Sequence, residues 1–320
     1  MSNAIKPFPV THQHIFNVIR TYLDESDGLA EGRPLRVLDI GCGDGRMMHS
    51  LHALARQHWP GRAVEVHGFD IGEHGFKDDG QMAAAIDLLT ASHPGVDWKS
   101  RIRIIPGDAS WGYPPGWFDI AVSNQVIEHV EELTPFLRNL REALAPNGIS
   151  VHLFPLSHCM QEAHVRVPFS HWIRDFHYRV AWIKLMSRLG IGKYRHDRRI
   201  LGHADVQSHA IQSAKFIECW TSYRSFREIT AESSRLHMAT SYNFTKDFFF
   251  TKLRMILRRP ASRPYRRRTA FGLEWLGFMS GRYLSSSTLV IQPLDYDIGA
   301  RIAAEKAEKI EAEKAVVELA

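Results

Sequence analysis

Five short apolar runs, each followed by a segment of helical spacing, constrain this chain more than any other feature. They are "RVLDI" (Arg36–Ile40), "AVEVHGFD" (Ala63–Asp70), "RIRIIPGD" (Arg101–Asp108), "FDIAVSNQ" (Phe118–Gln125) and "ISVHLFP" (Ile149–Pro155). After the first, Met47, Leu51 and Leu54 recur at helical spacing. "MAAAIDLLTAS" reads as a helix, and "IEHVEELTPFLRNLREALAPNG" reads as a long amphipathic helix stopping at Asn147-Gly148. Strands this apolar, separated by helices, imply a mostly parallel sheet covered on both faces. The expected class is α/β, a Rossmann-like doubly wound sheet. Ligands of such sheets sit at the carboxyl ends of the strands, where strand order reverses.

The rhythm breaks after Pro155. Residues 156 to about 215 are rich in His, Arg and aromatics, with no clear strand. Helical patterning returns in "SYRSFREITAESSRLHMA", and "SSSTLVIQPL" (Ser285–Leu294) reads as a final strand. The chain has 320 residues, 44% of them hydrophobic, ample for a sizeable core. The expected organisation is an N-terminal helical segment (1–30), a ligand-binding core (31–155) and a helical lid or acceptor insertion after the fifth strand (156–235). A C-terminal return to the sheet (236–294) and a charged helical tail (295–320) complete it.

The first strand runs straight into glycines: "VLDIGCGDGR", Val37–Arg46, with Gly41, Gly43 and Gly45 at every second position. Glycines let backbone approach a ligand, and the following helix start offers N–H groups. The third glycine comes one residue too early for the dinucleotide fingerprint, and no phosphate-cradling GxxxxGK[ST] is present. Asp39 and Asp44 flank the glycines; two carboxylates repel a pyrophosphate and attract an ammonium or sulfonium. Asp70 ends the second strand, in place to accept from ribose hydroxyls. Asp108 ends the third, in place to accept from an adenine amino group. Asp39 also stands where it could cap the turn, and "PGD" is an ordinary turn sequence as well. Together the acids describe a cationic, adenosine-containing ligand across the strand ends.

On these residues the chain resembles the class I S-adenosylmethionine-dependent methyltransferases, of the type 11 or ubiquinone/menaquinone-biosynthesis-like group. "VLDIGCGDGR", "GFDIG", "GDAS", "FDIAVSNQVIEHV" and "LREALAPNGISVHLFP" carry the likeness over roughly residues 30–155. The resemblance implies S-adenosyl-L-methionine as cofactor and S-adenosyl-L-homocysteine as product. It implies that Gly41 and Gly43 line the methionine moiety, Asp70 binds ribose, Asp108 binds adenine, and Asn124 with Gln125 closes the site beside the sulfonium. The candidate cofactor positions are Asp39, Gly41, Cys42, Gly43, Asp70, Ile71, Gly107, Asp108, Ala109, Asn124 and Gln125. The implied reaction is methyl transfer, O-methylation first among its forms. A non-catalytic binding protein and a nucleic-acid methyltransferase are the alternatives.

The sulfonium activates the donor, so the protein supplies alignment, and a base only where the acceptor must lose a proton. "SHCMQEAHVRVPFSHWI" (Ser157–Ile173) follows the fifth strand directly. It resembles an E-x-H plus Pro-hydrophobic-x-His-Trp element of some of these enzymes, through Glu162, His164, Pro168, Phe169, His171 and Trp172. His164 and His171 are candidate catalytic residues, with packing as the alternative for each; His129 in "IEHV" is a third. A metal set of His158, Cys159, His164 and Glu162 lacks the spacing of a tight structural zinc site, and simple O- or N-methylation needs no metal. None is expected.

The expected partner is a small-molecule, glycan or lipid-linked acceptor. Net charge is +5, and "RRPASRPYRRR" (Arg258–Arg268) holds six arginines and no acid. That segment suits an anionic ligand, a membrane surface or plain solvent. No RNA-binding module accompanies it, which argues against nucleic acid. Three cysteines at wide spacing give no disulfide framework. Met1–Phe16 lacks a secretory pattern, and no apolar run approaches the ~18 residues of a spanning helix. The expected location is cytoplasmic, with peripheral contact at the inner membrane face as an option.

Overall fold

The computed structural model describes residues 8–25, 33–71, 79–107, 110–200, 205–258, 265 and 272–294. Among these, a seven-stranded sheet runs in the order β3-β2-β1-β4-β5-β7-β6. The strands are β1 (Leu35–Ile40), β2 (Val64–Ile71), β3 (Ile102–Ile105), β4 (Phe118–Asn124), β5 (Leu144–Phe154), β6 (Met238–Ser241) and β7 (Ser287–Pro293). The first five are parallel, and β7 and β6 add to β5 antiparallel. The architecture is Rossmann-like, and strand order reverses between β1 and β4.

The central strands β1, β4, β5 and β7 are buried on both faces, as apolar strands require, whereas the edge strand β3 is half exposed. Val37, Ile120, Val122, Val151 and Leu153 join one core cluster. Its cover comes from α1 (Val10–Glu25), α2 (Arg46–His58) and α3 (Asp79–Ser92) through Ile15, Met48, Leu51 and Leu89. Leu38, Ile40, Ala121 and Phe154 face the other way, against α4 (Leu133–Ala143) and α8 (Phe226–Arg235). A third cluster joins Val165 and Val167 to α5 (Phe176–Arg188) and α7 (Val206–Trp220). The segment after β5 therefore has a small core of its own, which also includes Ile183, Ala210, Ala214 and Ile217. A short α6 (Tyr194–Ile200) joins these helices; α9 (Thr245–Ile256) and α10 (Leu273–Leu284) lead into β7.

Three expectations are corrected in detail. The helix expected to run to Asn147-Gly148 ends at Ala143, and Leu144 already belongs to β5. Pro146 explains this: it has no N–H to continue a helix, and it disfavours helical backbone at the residue before it. The start of that same expected helix is a separate 3-10 turn, Ile127–His129. The patterned stretch running to Ala239 breaks at His237, which has φ +54, and its end becomes β6. The charged tail lies outside the described residues, as does all of Arg258–Arg268 except Arg258 and Tyr265. Among the described residues, no helix is long and apolar enough to cross a membrane.

Candidate active site

The site is built at the carboxyl ends of β1 and β4. Gly41 has φ +69, Gly43 φ +53 and Gly45 φ +76, three left-handed turns in five residues that ordinary side chains resist. The Gly41 and Cys42 N–H groups donate to Phe69 O at the end of β2, at 2.9 and 3.0 Å. A Cβ on Gly41 would lie 2.6 Å from Val126 Cγ2, so the glycine makes room for the chain leaving β4. That chain turns sharply, with Gln125 itself at φ +60. A Cβ on Gly43 would meet nothing within 4 Å, which leaves an open face above the loop.

Asp70, buried at the end of β2, clamps this loop. One carboxylate oxygen accepts from Gly43 N–H at 2.8 Å, the other from Ile71 N–H at 2.8 Å. Asp39 is buried at the end of β1, beneath the glycines. Asp44 differs from the sequence argument: it is exposed, and its carboxylate faces Arg46 Nε at 3.1 Å. Arg46 offsets its charge, so Asp39 and Asp70 are the buried acids at the loop. Cys42 is buried against Gly68, where an added Cβ would lie 2.8 Å from the Cys42 Cβ. Gly107 is an exposed turn after β3, and Asp108 and Ala109 lie outside the described residues. Asn124 ends β4, with its Oδ1 buried and without a hydrogen-bond partner among the described residues. The Gln125 side-chain amide donates to Leu153 O at 3.2 Å and to Ser286 Oγ at 3.0 Å. Its backbone reversal, rather than its side chain, shapes the loop contact.

The three candidate histidines gather in one place. Nε2 of His129 and Nε2 of His164 face each other at 3.1 Å. His129 Nδ1 lies 2.5 Å from Trp220 O, at the end of α7. His164 Nδ1 lies 2.9 Å from Glu162 Oε1 and 3.2 Å from the Tyr223 hydroxyl. Tyr223 donates to Glu162 Oε1 at 2.5 Å, and Val165 N–H donates to Glu162 Oε2 at 2.6 Å. His171 stacks on Tyr223 with ring centroids 4.8 Å apart, and its Nε2 lies 3.2 Å from Ser157 O. His158 stands apart, accepting from Arg282 Nε at 2.8 Å and packing on Phe226 and Tyr283.

Burial and hydrogen bonding set the charges here. Burial alone would push the Glu162 carboxyl up, but His164, Tyr223 and Val165 N–H together hold it below the ordinary carboxylate range. Burial, then the charge of Glu162, raises the Tyr223 phenol. Burial lowers His171 despite the nearby Glu162. Glu128, fully buried, is pushed up to about 8 by desolvation, with Glu162 adding to the rise. Neither carboxylate oxygen of Glu128 has a hydrogen-bond partner among the described residues.

Sequence reasoning passed over Glu128 and Tyr223. Glu128 was visible only as the residue before His129. Tyr223 lies 61 residues from the carboxylate it serves, with no local pattern to mark it.

The family model described as "Methyltransferase domain" matches residues 13–198. The chain belongs to the methyltransferase domain family. The matched span takes in the glycine loop, Asp70, Asn124, His129, Glu162, His164 and His171. Among curated relatives, the ubiquinone biosynthesis O-methyltransferase of Bradyrhizobium diazoefficiens is 32% identical over 118 residues, 37% of this chain and 38% of that one. The mitochondrial ubiquinone biosynthesis O-methyltransferase of Schizosaccharomyces pombe is 31% identical over 113 residues, 35% of each chain. The malonyl-[acyl-carrier protein] O-methyltransferase of Halorhodospira halophila is 29% identical over 116 residues, 36% of this methyltransferase and 33% of that one. The alignments thus span well under two thirds of these relatives' own length. Among solved structures, a putative sarcosine dimethylglycine methyltransferase from Galdieria sulphuraria has a TM-score of 0.43 at 11% identity, covering 89% of this chain and 86% of that one.

Membership implies S-adenosylmethionine as the methyl donor, and the residues at the β1–β4 reversal fit it. Gly43 leaves the loop face open, and the buried Asn124 Oδ1 is an acceptor for an ammonium or other donor group. Asp39 and Asp70 supply the negative field that a cationic ligand gains from.

Proposed function

We propose that this methyltransferase moves a methyl group from S-adenosylmethionine to an oxygen of a small-molecule, glycan or lipid-linked acceptor. The observation that carries this reading is the adjacency of two different sites. Val126 touches the glycine loop, and three residues further on His129 meets His164. The donor contributes a methyl group on a positively charged sulfur. Gly41, Gly43 and Asp70 hold it against the strand ends, with Asn124 at the β4 edge; ribose contact falls to Asp70 and adenine contact to Asp108.

His129 and His164 form the acceptor face. In the transfer the carbon–sulfur bond breaks with its electron pair left on sulfur, the oxygen–methyl bond forms, and the hydroxyl proton passes to a ring nitrogen of His164 or His129. The facing Nε2 atoms of His129 and His164, 3.1 Å apart, stand where one can take a proton from a hydroxyl held beside them. Glu162 and Tyr223 fix the His164 ring, and His171 backs Tyr223. The curated relatives carrying O-methyltransferase names support oxygen as the receiving atom.

A lipid-borne acceptor is favoured by the far end of α9 and α10. Ile256, Leu257, Leu273, Trp275 and Leu276 are all more than half exposed there. Arg254 and Arg258 share that end of the chain, with the arginine-rich segment next in sequence. Apolar side chains beside arginines suit an anionic membrane surface.

Transfer is tested with S-adenosylmethionine carrying a deuterated methyl group, incubated with a lipid and small-molecule extract. The expected result is label on an acceptor oxygen with release of S-adenosylhomocysteine. His164→Ala should lower turnover by ~100-fold or more and leave S-adenosylhomocysteine binding unchanged. Label confined to nitrogen or carbon would contradict the reading, and so would full activity of His164→Ala.

A further inference from the structure

We propose that Lys252 anchors an oxyanion of the acceptor, a carboxylate or phosphate group carried near the oxygen that receives the methyl. Arg166 is the second cation of the same site. The anchor deepens the acceptor half of the proposed function and rests on that reading for its purpose, whereas the anion site stands on the geometry of its own two cations.

Lys252 lies on α9, half-buried, with Nζ 2.7 Å from Ser285 Oγ. An ammonium carries three donors. Ser285 Oγ is the one hydrogen-bond acceptor that the described residues offer them, and the ring of Phe248 covers another side at 4.8 Å. Among the described residues no carboxylate pairs with Lys252. Cys159 is close enough to act on it, but burial raises that thiol, which therefore stays neutral at neutral pH and brings no counter-charge. The other charged group that acts on Lys252 is Arg166, a second cation. Burial, opposed by Cys159 and assisted by Arg166, draws the ammonium below the ordinary lysine range.

Lys246 on the same helix shows the contrast. It is buried more deeply, and its Nζ donates to Glu274 Oε2 at 2.7 Å. A cation drawn out of water without a counter-charge is costly unless an anion meets it. Arg166 adds a second sign. Its φ of +55 is a left-handed conformation that a residue with a Cβ resists, and its N–H donates to Glu162 O at 3.0 Å. That turn leaves the Arg166 side chain exposed, without an ion pair among the described residues. An anion bound between the two cations gains from both and relieves their repulsion.

The place suits an acceptor. β7 runs antiparallel to β5 with Ser287 opposite Phe154, so Ser285 and Ser286 stand at the carboxyl edge of the parallel strands. Ser286 Oγ accepts from Gln125 Nε2 at 3.0 Å, and Gln125 adjoins Val126, which lies against Gly41 of the donor loop. On the other side, Cys159 Sγ donates to Ser285 O at 3.5 Å, and Glu162, which holds His164, acts on Cys159. Lys252 is thus tied both to the turn beside the donor loop and to the segment that carries His164. An acceptor spanning the two places its hydroxyl at the histidines and its oxyanion at Lys252. A neutral molecule of the same shape leaves the ammonium unmet, which is how such a site selects.

The test titrates sodium benzoate and inorganic phosphate, at fixed ionic strength, into the 320-residue chain saturated with S-adenosylhomocysteine. Binding is followed on the proton signals of benzoate and the ³¹P signal of phosphate. The expected result is saturable binding of at least one oxyanion; benzoate alone assigns a carboxylate, phosphate alone a phosphate. Lys252→Met should weaken it by ~10–100-fold, and Arg166→Ala, at an exposed position, by ~2–5-fold. Both variants should keep parent-like circular dichroism and S-adenosylhomocysteine affinity. Failure of both oxyanions to bind overturns the anchor, as does parent-like binding by Lys252→Met. In the label-transfer assay the methylated product should be retained by an anion exchanger; a neutral product overturns the anchor and leaves methyl transfer standing. Oxyanion binding by a chain that does not respond to S-adenosylhomocysteine upholds the anchor and removes the donor reading.

Discussion

Gly41→Ala should abolish binding of S-adenosylhomocysteine while leaving the chain folded. Two effects act together at this residue. Its φ of +69 lies in the left-handed region, which costs a residue with a Cβ about 1–2 kcal/mol. The new Cβ would also lie 2.6 Å from Val126 Cγ2, so the loop or the chain leaving β4 must move. Either movement displaces the backbone that the donor has to touch. Asp70→Ala should act as strongly by another route. Its carboxylate accepts from Gly43 N–H and Ile71 N–H, and bonds of this charge-assisted kind are worth roughly 1.5–3 kcal/mol each. Losing both, together with the contact to the ligand, predicts a fall in affinity of ~100-fold or more. Asp44→Ala is the control, since Asp44 is exposed and faces Arg46; its affinity should stay within ~3-fold of the parent. Calorimetric titration of the three variants, with circular dichroism for folding, decides the matter. Parent-like binding by Asp70→Ala would contradict this description of the loop.

The same contrast explains how much of the site could be read from the sequence. The loop was legible because its parts are local: a strand, three glycines and a helix occur within one short run, and Asp70 ends the neighbouring strand. Asp44 misled because sequence gives an acid's position and not its direction; two residues on, Arg46 turns its charge outward. The Asn147-Gly148 stop signal ends five residues past the true end of α4 at Ala143, because Pro146 breaks the helix first. The acceptor side was legible only in part. Glu162, His164 and His171 stand in one segment, but what holds them comes from afar. His129 arrives from the end of β4, 35 residues away, and Tyr223 from the start of the approach to α8. Tertiary packing of α5 against α7 brings these groups together, and no local periodicity encodes that. Glu128 was hidden for the opposite reason: one turn of 3-10 helix, read as the start of a longer helix, buries it instead of exposing it.

Acid should unfold this protein well above the pH that titrates ordinary carboxylates. Six histidines are buried among the described residues, and four of them, His12, His14, His52 and His152, are held far below the ordinary imidazole value. Burial lowers His14 and His152 to about 3. It lowers His12 to about 4, with Asp44 opposing and Arg46 and His49 assisting. It lowers His52 to about 4, with His93 and Arg56 adding to the effect. Neither ring nitrogen of His52 has a hydrogen-bond partner among the described residues, so a second proton there would find no acceptor. The sign follows from linkage. Each group binds its proton more weakly folded than unfolded, so its contribution is complete above the unfolded value of 6.5. It is lost as pH falls from there through the folded values of about 4 and then about 3. A single shift of this size is on the order of 3 kcal/mol, against a total stability of roughly 5–15 kcal/mol for a typical domain. Denaturant midpoints should therefore be nearly constant from pH 8 to 7 and drop steeply below ~6, the unfolded state taking up about four extra protons from these rings. His52→Phe should reduce that uptake by about one proton. A flat stability profile between pH 7 and 5 would refute the assignment.

Methyl-donor binding at the β1–β4 reversal is the claim on which the rest depends. Calorimetric titration of S-adenosylhomocysteine into the wild-type 320-residue chain measures it directly. The account predicts saturable binding of one molecule per chain, competed by S-adenosylmethionine and absent from Gly41→Ala. No heat and no thermal stabilisation at millimolar ligand, from a chain that is folded by circular dichroism, would contradict it.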